Sequence, residues 1–504
     1  MLVLRSFSIL LLTLLAAAVV ATPAAPAPGM VVGAADSAAK WGGLVGATTQ
    51  MQLARLAGLD AIRLTSPWRP GQRRPSEQEL GFLRDAAGGA QLAGMRVFVA
   101  VYTPRNRWTP TTAQRRRDFA AYTAELARTV PGVTDVIVGN EPNLNRFWMP
   151  QFDRRGRTVS AAAYGRLLAQ TYDAVKEAAP DVVVVGGAVS PRGSDSHRSS
   201  RHTHSPTRFI RELGRAYRLS RRDRPLMDAF AIHPYPTTGR SPARPHPRST
   251  TIGIADYRKL VRLLGTSFNG TAQRGSTLPI VYTEFGVQTK IPKRKRHLYR
   301  HLRARAARQA VSERVQARHY RQALAMAQCQ PTVVGLLFFH VTDDRDARAW
   351  QSGLFYADRT PKSSFAAVRA AAELAREGRF ARCGRPKAVN PLERVAFRED
   401  EALVELVCSR ACRYVVKLVP LPGVSPHGAP PVARTVGEAE ADVEHAIELV
   451  ADEAPPGRYR YLVRVADADS PGAAVVRYGP EVTVAPPPDP PPPDPPPPPP
   501  ADGG

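Results

Sequence analysis

The sequence predicts an α/β protein, a (β/α)8 TIM barrel followed by a small all-β sandwich and a proline-rich tail. Three observations carry this. Eight short β-rich runs alternate with longer helical patterns between about residues 30 and 380. Beyond residue 391 the apolar runs stay short, lose helical periodicity and are punctuated by Gly, Pro, Asp and Ser. From residue 486 onward the chain is nearly pure proline, which buries no core. The length of 504 residues leaves room for two or three domains, and 43% hydrophobic with 23% charged residues excludes a fully disordered or fibrous chain.

Taken in order, residues 1–27 read as a secretory signal peptide: Arg5 precedes an apolar run from Phe7 to Ala21, then small residues and prolines. That run is short for a bilayer and nothing comparable follows, so an exported protein, secreted or held at the cell envelope, is expected, with no membrane span after cleavage. Residues 28–388 form the expected barrel domain. Its strands are MVVGAA, DAIRLT, MRVFVAVY, VTDVIVGN, DVVVVGGA, MDAFAIHP, LPIVYTE and VVGLLFF. Between them, stretches such as 111–130 and 160–179 place apolar residues three and four apart with polar residues opposite, as amphipathic helices require. A doubly wound open sheet is the competing arrangement, weakened because no GxGxxG turn follows the first strand. Residues 391–485 are the expected sandwich, with an Ig-like topology, and 486–504 the tail.

Four cysteines, Cys329, Cys383, Cys408 and Cys412, allow three pairings. Cys408 and Cys412 flank three residues between two apolar runs, so a bridge closing a hairpin turn leaves Cys329 to join Cys383. An even count suits an oxidising compartment.

In a barrel of this kind the reactive groups project from the C-terminal strand ends. The fourth run ends GNEPN, placing Asn140 and Glu141 at the mouth, and the seventh ends YTEFG, placing Glu284 there. Two carboxylates about 5 to 5.5 Å apart across the axis can divide the work on an anomeric carbon, one attacking while the other protonates the leaving oxygen.

These two glutamate contexts resemble the signatures of the (β/α)8-barrel clan of retaining glycoside hydrolases, and the chain is most similar to cellulase-like members of families 5 and 39. The resemblance runs over most of residues 30 to 380. It implies that Glu141 is the general acid/base, Glu284 the nucleophile and Asn140 the group that binds the sugar 2-hydroxyl. It further implies that His233 and Tyr235, in IHPYP, contact the nucleophile and that Arg63, in DAIRLT, orients it. A cation and a hydroxyl beside Glu284 keep it ionised, and the acid/base role requires Glu141 to deliver a proton. One departure stands out. Where the clan places a tryptophan after strand eight as a floor for the sugar, this chain has Phe339 and His340, with Trp350 as a substitute from further along. Trp148, like Trp68 and Trp108, follows a strand and is expected either on a sugar face or in the packing. A strand-end glutamate, arginine or histidine also has a plain structural reading, as a surface carboxylate, an ion-pair partner or a satisfied core imidazole.

The charge balance is strongly basic: 70 Lys and Arg against 44 Asp and Glu, a formal +26, and 61 of the 70 are arginine. Two tracts stand near the expected mouth. Residues Lys290 to Arg308 carry nine cations in 19 positions, and residues 191–208 mix Arg with His197, His202 and His204. They either attract an anionic polysaccharide or are a solvated helix face in an arginine-rich chain. His-Thr-His without a further ligand at metal spacing is poor evidence for zinc, so no metal and no cofactor is expected. Nucleic acid is not an expected partner, because no recognised binding motif is present and the aromatics do not interleave with the arginines. The expected partner is an oligo- or polysaccharide, neutral or anionic, met by a monomer. Two function classes follow: a secreted retaining glycosidase, and a noncatalytic carbohydrate-binding or cell-wall-associated protein on the same barrel.

Overall fold

The valine-, alanine- and isoleucine-rich runs are buried on both faces, which only a parallel sheet covered by helices permits. In the computed structural model, which describes residues 30–236, 240–303, 310–381, 383, 391–398, 403–422, 431–449 and 454–484, they form a closed eight-stranded parallel barrel. The expected signal peptide, the junction at 384–390 and the proline tail lie outside the described residues. The strands are β1 (Val31–Ala35), β2 (Ala61–Pro67), β3 (Arg96–Tyr102), β4 (Val133–Val138), β5 (Val183–Val189), β6 (Ala229–Ile232), β7 (Ile280–Phe285) and β8 (Val333–Phe339). Closure is direct, since β8 pairs in parallel with β1, and the open doubly wound sheet is thereby excluded.

The helices are α1 (Gly43–Leu56), α2 (Glu77–Leu92), α3 (Ala113–Thr129), α4 (Ser160–Ala178), α5 (Pro206–Ser220), α6 (Tyr257–Phe268), α7 (Glu313–Gln328) and α8 (Phe365–Arg376). Four of them start on a hydroxyl cap. Ser76, Thr112, Ser205 and Ser312 each accept from the backbone N–H three residues on, satisfying a donor the first turn leaves free. This is why α3 begins at Ala113 and not at Thr111. Outward strand residues such as Ile62, Leu64, Val97 and Val99 pack under the helices, while Ala61, Phe98, Ala100, Ile137, Val185 and Ala231 fill the barrel interior.

The C-terminal region folds as two antiparallel sheets. One has the order β13–β10–β9 and the other β12–β11–β14–β15, with β9 (Leu392–Arg398), β10 (Leu403–Cys408), β11 (Cys412–Pro420), β12 (Ala433–Ala439), β13 (Glu444–Glu448), β14 (Gly457–Asp467) and β15 (Ser470–Val484). They share one apolar core that includes Val404, Leu406, Val416, Tyr459, Tyr461 and Val463. Both disulfides have the pairing read from the sequence, Cys329–Cys383 and Cys408–Cys412. The expectation of a hairpin at Cys408–Cys412 is corrected: β10 and β11 lie in different sheets, so the bridge ties the corner where the chain crosses between them.

The β14–β15 hairpin closes the barrel from below. Ala466, Ala473 and Ala474 join the interior cluster of Ala61, Phe98 and Val185, and a side chain at Gly472 would sit 2.2 Å from the Asp228 carbonyl oxygen, so only glycine allows this approach. Arg96 donates to both oxygens of Asp135 at 2.7 Å and to the Ala474 carbonyl at 2.6 Å. Asp181, ahead of β5, pairs with Arg434 at 2.7 Å and Lys417 at 3.1 Å. Burial pushes the Asp181 carboxyl up, but these two cations outweigh it and bring it to about 2. Asp135→Asn would leave the buried Arg96 guanidinium without its counter-charge. It is expected to cost ~3–5 kcal/mol, read as a lower midpoint in denaturant unfolding; an unchanged midpoint would contradict a structural role for this pair.

Candidate active site

Side-chain direction at the barrel mouth is set by two irregularities. In β7 the residues facing the helices are Ile280, Tyr282 and then Phe285, and the pairing with β8 shifts register between Tyr282 and Phe285. Strict alternation would turn Glu284 toward the helices; the bulge turns it inward instead. In β5 a second shift falls between Gly187 and Val189, with Ala188 at φ 46°. The freed Ala188 carbonyl accepts the Glu141 N–H at 2.9 Å. Glu141 itself has φ 41°, a left-handed conformation that a residue with a Cβ adopts only when its surroundings impose it.

The two carboxylates meet through shared partners. Arg63, 3% exposed, donates through Nη1 to Glu284 Oε1 and through Nη2 to Asn140 Oδ1 at 3.0 Å. With one lone pair of its oxygen so engaged, Asn140 keeps its amide hydrogens to offer a ligand. Tyr235 donates its hydroxyl to Glu284 Oε2 at 2.8 Å. His233 is fully buried, its Nδ1 3.1 Å from Glu141 Oε1 and 3.6 Å from Glu284 Oε2. The two carboxylate oxygens are therefore no further apart than those two distances laid end to end. Burial pushes the Glu284 carboxyl up, but His233, Arg63 and the hydrogen bonds from Arg63 and Tyr235 together hold it below the ordinary carboxylate range. The Tyr235 hydroxyl is driven the other way, by burial and then by the Glu284 charge, and stays a donor.

An aromatic wall stands on the Glu284 side. The Tyr235 and Trp350 rings lie 5.2 Å apart, and Phe339 meets Trp350 edge-on at 5.1 Å and Tyr235 at 6.1 Å. Gly286, directly after β7, makes room for it: a Cβ there would come within 3.1 Å of Phe339 and 3.3 Å of Tyr235. His340 stacks on Phe339 at 4.0 Å with its Nδ1 3.5 Å from Asp344. Trp350 arrives on a loop anchored by a fully buried pair, Lys362 with Asp343 at 2.7 Å.

Of the sequence candidates, Arg63, Asn140, Glu141, His233, Tyr235 and Glu284 converge, and Phe339, His340 and Trp350 border them. His233 comes closer to Glu141 than to Glu284, a placement the motif did not foretell. Trp148 is not at the mouth. Its ring is buried edge-on against Tyr164 of α4, so the apolar indole serves the packing. Trp68 is likewise buried, its Nε1 donating to the Gln72 carbonyl. In the second histidine tract, His204 is buried against Phe152 and its Nε2 lies 3.1 Å from the Gln151 carbonyl, while His197 meets Phe152 edge-on. In the first tract, Lys295 is held by Asp358 and Thr360, and residues 304–309 lie outside the described residues. Two further residues belong to the site's electrostatics. Tyr102, the last residue of β3, feels Arg63, Arg146 and Glu284, and Arg192, after β5, feels Glu141. Tyr102 was open to discovery as the polar end of a strand run.

No protein-family model matches the sequence, and no curated protein matches it. Solved structures do resemble the backbone. A family 39 glycoside hydrolase from the gut symbiont Bacteroides cellulosilyticus WH2 matches with a TM-score of 0.49 at 16% identity over 84% of this chain and 81% of that one. A GH5_18 protein from Bifidobacterium longum subsp. infantis gives 0.46 and 18% over 72% and 81%, and one from Streptomyces cattleya in complex with GlcNAc gives 0.47 and 16% over 69% and 81%. The chemistry has to be read from this chain's own residues.

Because Glu284 has a folded pKa below its ordinary 4.5, its ionised form contributes stability that is complete above pH 4.5 and lost as pH falls through the lowered value. Tyr235→Phe removes one donor to that carboxylate and is expected to raise its titration toward 4.5, followed by NMR of the labelled carboxyl carbon. A titration that does not move would argue against Tyr235 as a stabilising donor.

Proposed function

We propose that this protein is an exported retaining glycoside hydrolase that cleaves O-glycosidic bonds of an oligo- or polysaccharide by double displacement. The observation that carries the reading is the carboxylate pair. Glu141 and Glu284 meet at one imidazole at the mouth of a closed barrel, and the bound this sets on their separation admits the about 5 to 5.5 Å of retaining enzymes. Their surroundings differ. Glu284 accepts hydrogen bonds from a guanidinium and a phenol, whereas Glu141 meets His233 and feels the charge of Arg192.

In the first step a Glu284 oxygen attacks the anomeric carbon as the bond to the leaving oxygen breaks and Glu141 gives that oxygen its proton. This leaves a glycosyl ester on Glu284 and an ionised Glu141. In the second, Glu141 takes a proton from water, the hydroxide attacks the anomeric carbon, the ester bond breaks and Glu284 is restored. The Asn140 amide hydrogens serve the sugar 2-hydroxyl, and the wall of Tyr235, Phe339 and Trp350 supports the ring. That wall is an aromatic surface where strand eight lacks a tryptophan, which supports the catalytic reading over a noncatalytic binding protein. Two disulfides suit the oxidising compartment that export implies.

Glu284→Gln is expected to reduce hydrolysis of activated aryl glycosides to background and, because the buried Arg63 loses its counter-charge, to lower the melting temperature while the fold read by circular dichroism is kept; wild-type turnover would overturn the assignment. Glu141→Ala should slow hydrolysis ~100- to 10,000-fold, with azide restoring turnover and giving a glycosyl azide of retained configuration. An inverted product would sink the double displacement.

A further inference from the structure

The mouth has a second feature beside the carboxylate pair. After β2, β3 and β4 three loops lock together on the Tyr102 side. The Trp68 N–H donates to the Tyr102 carbonyl at 2.8 Å, Asn106 Nδ2 donates to the Asn145 carbonyl at 2.8 Å, and Thr103 Oγ1 donates to the Phe147 carbonyl at 3.2 Å. On this frame Trp108 gathers two guanidiniums, Arg69 at 5.7 Å and Arg105 at 5.0 Å from its ring, and Arg146 lies 5.3 Å from the Phe147 ring. Phe147 in turn meets Tyr102 edge-on at 6.5 Å.

All three arginines are exposed, and among the described residues none has a carboxylate partner. Other surface arginines of this basic chain, such as Arg211, also lack a carboxylate partner among the described residues; these three differ in standing on aromatic rings of loops that lock together at the mouth. Cations gathered on rings but left without counter-ions repel one another, and a bound anion relieves that repulsion. A guanidinium held by an aromatic face is also pre-organised to receive a planar or tetrahedral oxyanion through two N–H groups.

We propose that the cleft takes an anionic glycan, and that Arg69, Arg105 and Arg146 hold an acidic substituent of a sugar bound next to the carboxylate pair. The proposal rests on the glycosidase reading for its location but not for its binding chemistry. The acidic group is a carboxylate or a sulfate, which present the same oxyanion to the arginines.

The test is calorimetric titration of Glu284→Gln protein, which binds without turning over, with oligomers of polygalacturonate, dextran sulfate and neutral dextran at low and high ionic strength. Binding to one or both anionic probes, at least ~10-fold weaker once Arg69→Gln and Arg105→Gln are added, is the expected result. Which probe responds identifies the acidic group. Arg211→Gln with Arg215→Gln removes the same charge from the exposed face of α5 and should leave binding unchanged. Equal loss in that control, equal affinity for neutral dextran, or no loss in the Arg69/Arg105 variant would each overturn the clamp. Failure of the parent reading looks different. Wild-type protein that releases no reducing ends from any glycan, yet binds an anionic probe through these arginines, would remove the glycosidase and leave the clamp standing. Turnover confined to neutral glycans and indifferent to Arg69 and Arg105 would do the reverse.

Discussion

The Arg63 guanidinium sits almost wholly out of water where β2, β4 and β7 reach the mouth of the barrel, and one planar fork joins Glu284 to Asn140. A buried cation of this kind is costly unless its charge is matched and its N–H groups are used. Here the contacts through Nη1 and Nη2 offset the burial, Nε having no partner among the described residues, and the same contacts fix what the site presents. Glu284 stays ionised and pinned, and the Asn140 amide is oriented through its oxygen. His233 and Tyr235 extend the network from β6, tying Glu141 and Glu284 to one imidazole and one phenol. Orientation and charge at the mouth are thus one property, because a single set of hydrogen bonds sets both.

The two ends of the barrel solve the same problem differently. A cylinder of strands exposes polar strand ends and an interior at top and bottom. At the bottom the β14–β15 hairpin seals it with small side chains and with the Arg96–Asp135 and Asp181 pairs, whose charges are consumed in holding the two regions together. At the top the polar groups converge on a cleft. The C-terminal sheets therefore contribute to the barrel's own interior packing, a role that a freely tethered module could not have.

The excess of positive charge divides along the same line. Many arginines serve as structural cross-links, and the tract after β7 spends Lys295 on Asp358. Arg69, Arg105 and Arg146, on mouth loops and without a carboxylate partner among the described residues, come from three separate segments. How much of that charge is available to a ligand depends on which carboxylates fold nearby, a property of tertiary contacts and not of charge density along the chain.

The barrel itself was legible in the amino-acid order, because eight doubly buried strands leave unbroken apolar runs and their helices leave a three-and-four periodicity. Asn140, Glu141 and Glu284 were legible for the same reason: each is a polar residue that ends such a run. The cysteine pairs could be named, but not the fact that Cys408 and Cys412 join two sheets, because adjacent runs need not pair. Period-two reasoning alone points Glu284 at the helices, and only the bulge between Tyr282 and Phe285 reverses it. Trp148 has the same strand-end position as the site residues, and its burial under α4 is decided by where that helix lies. Sequence by itself determined the elements and the residues standing at their ends, since hydrophobic periodicity is a local property. Tertiary structure alone decided which of those ends face one another, because bulges, loop closures and competing carboxylates act between segments far apart in the chain.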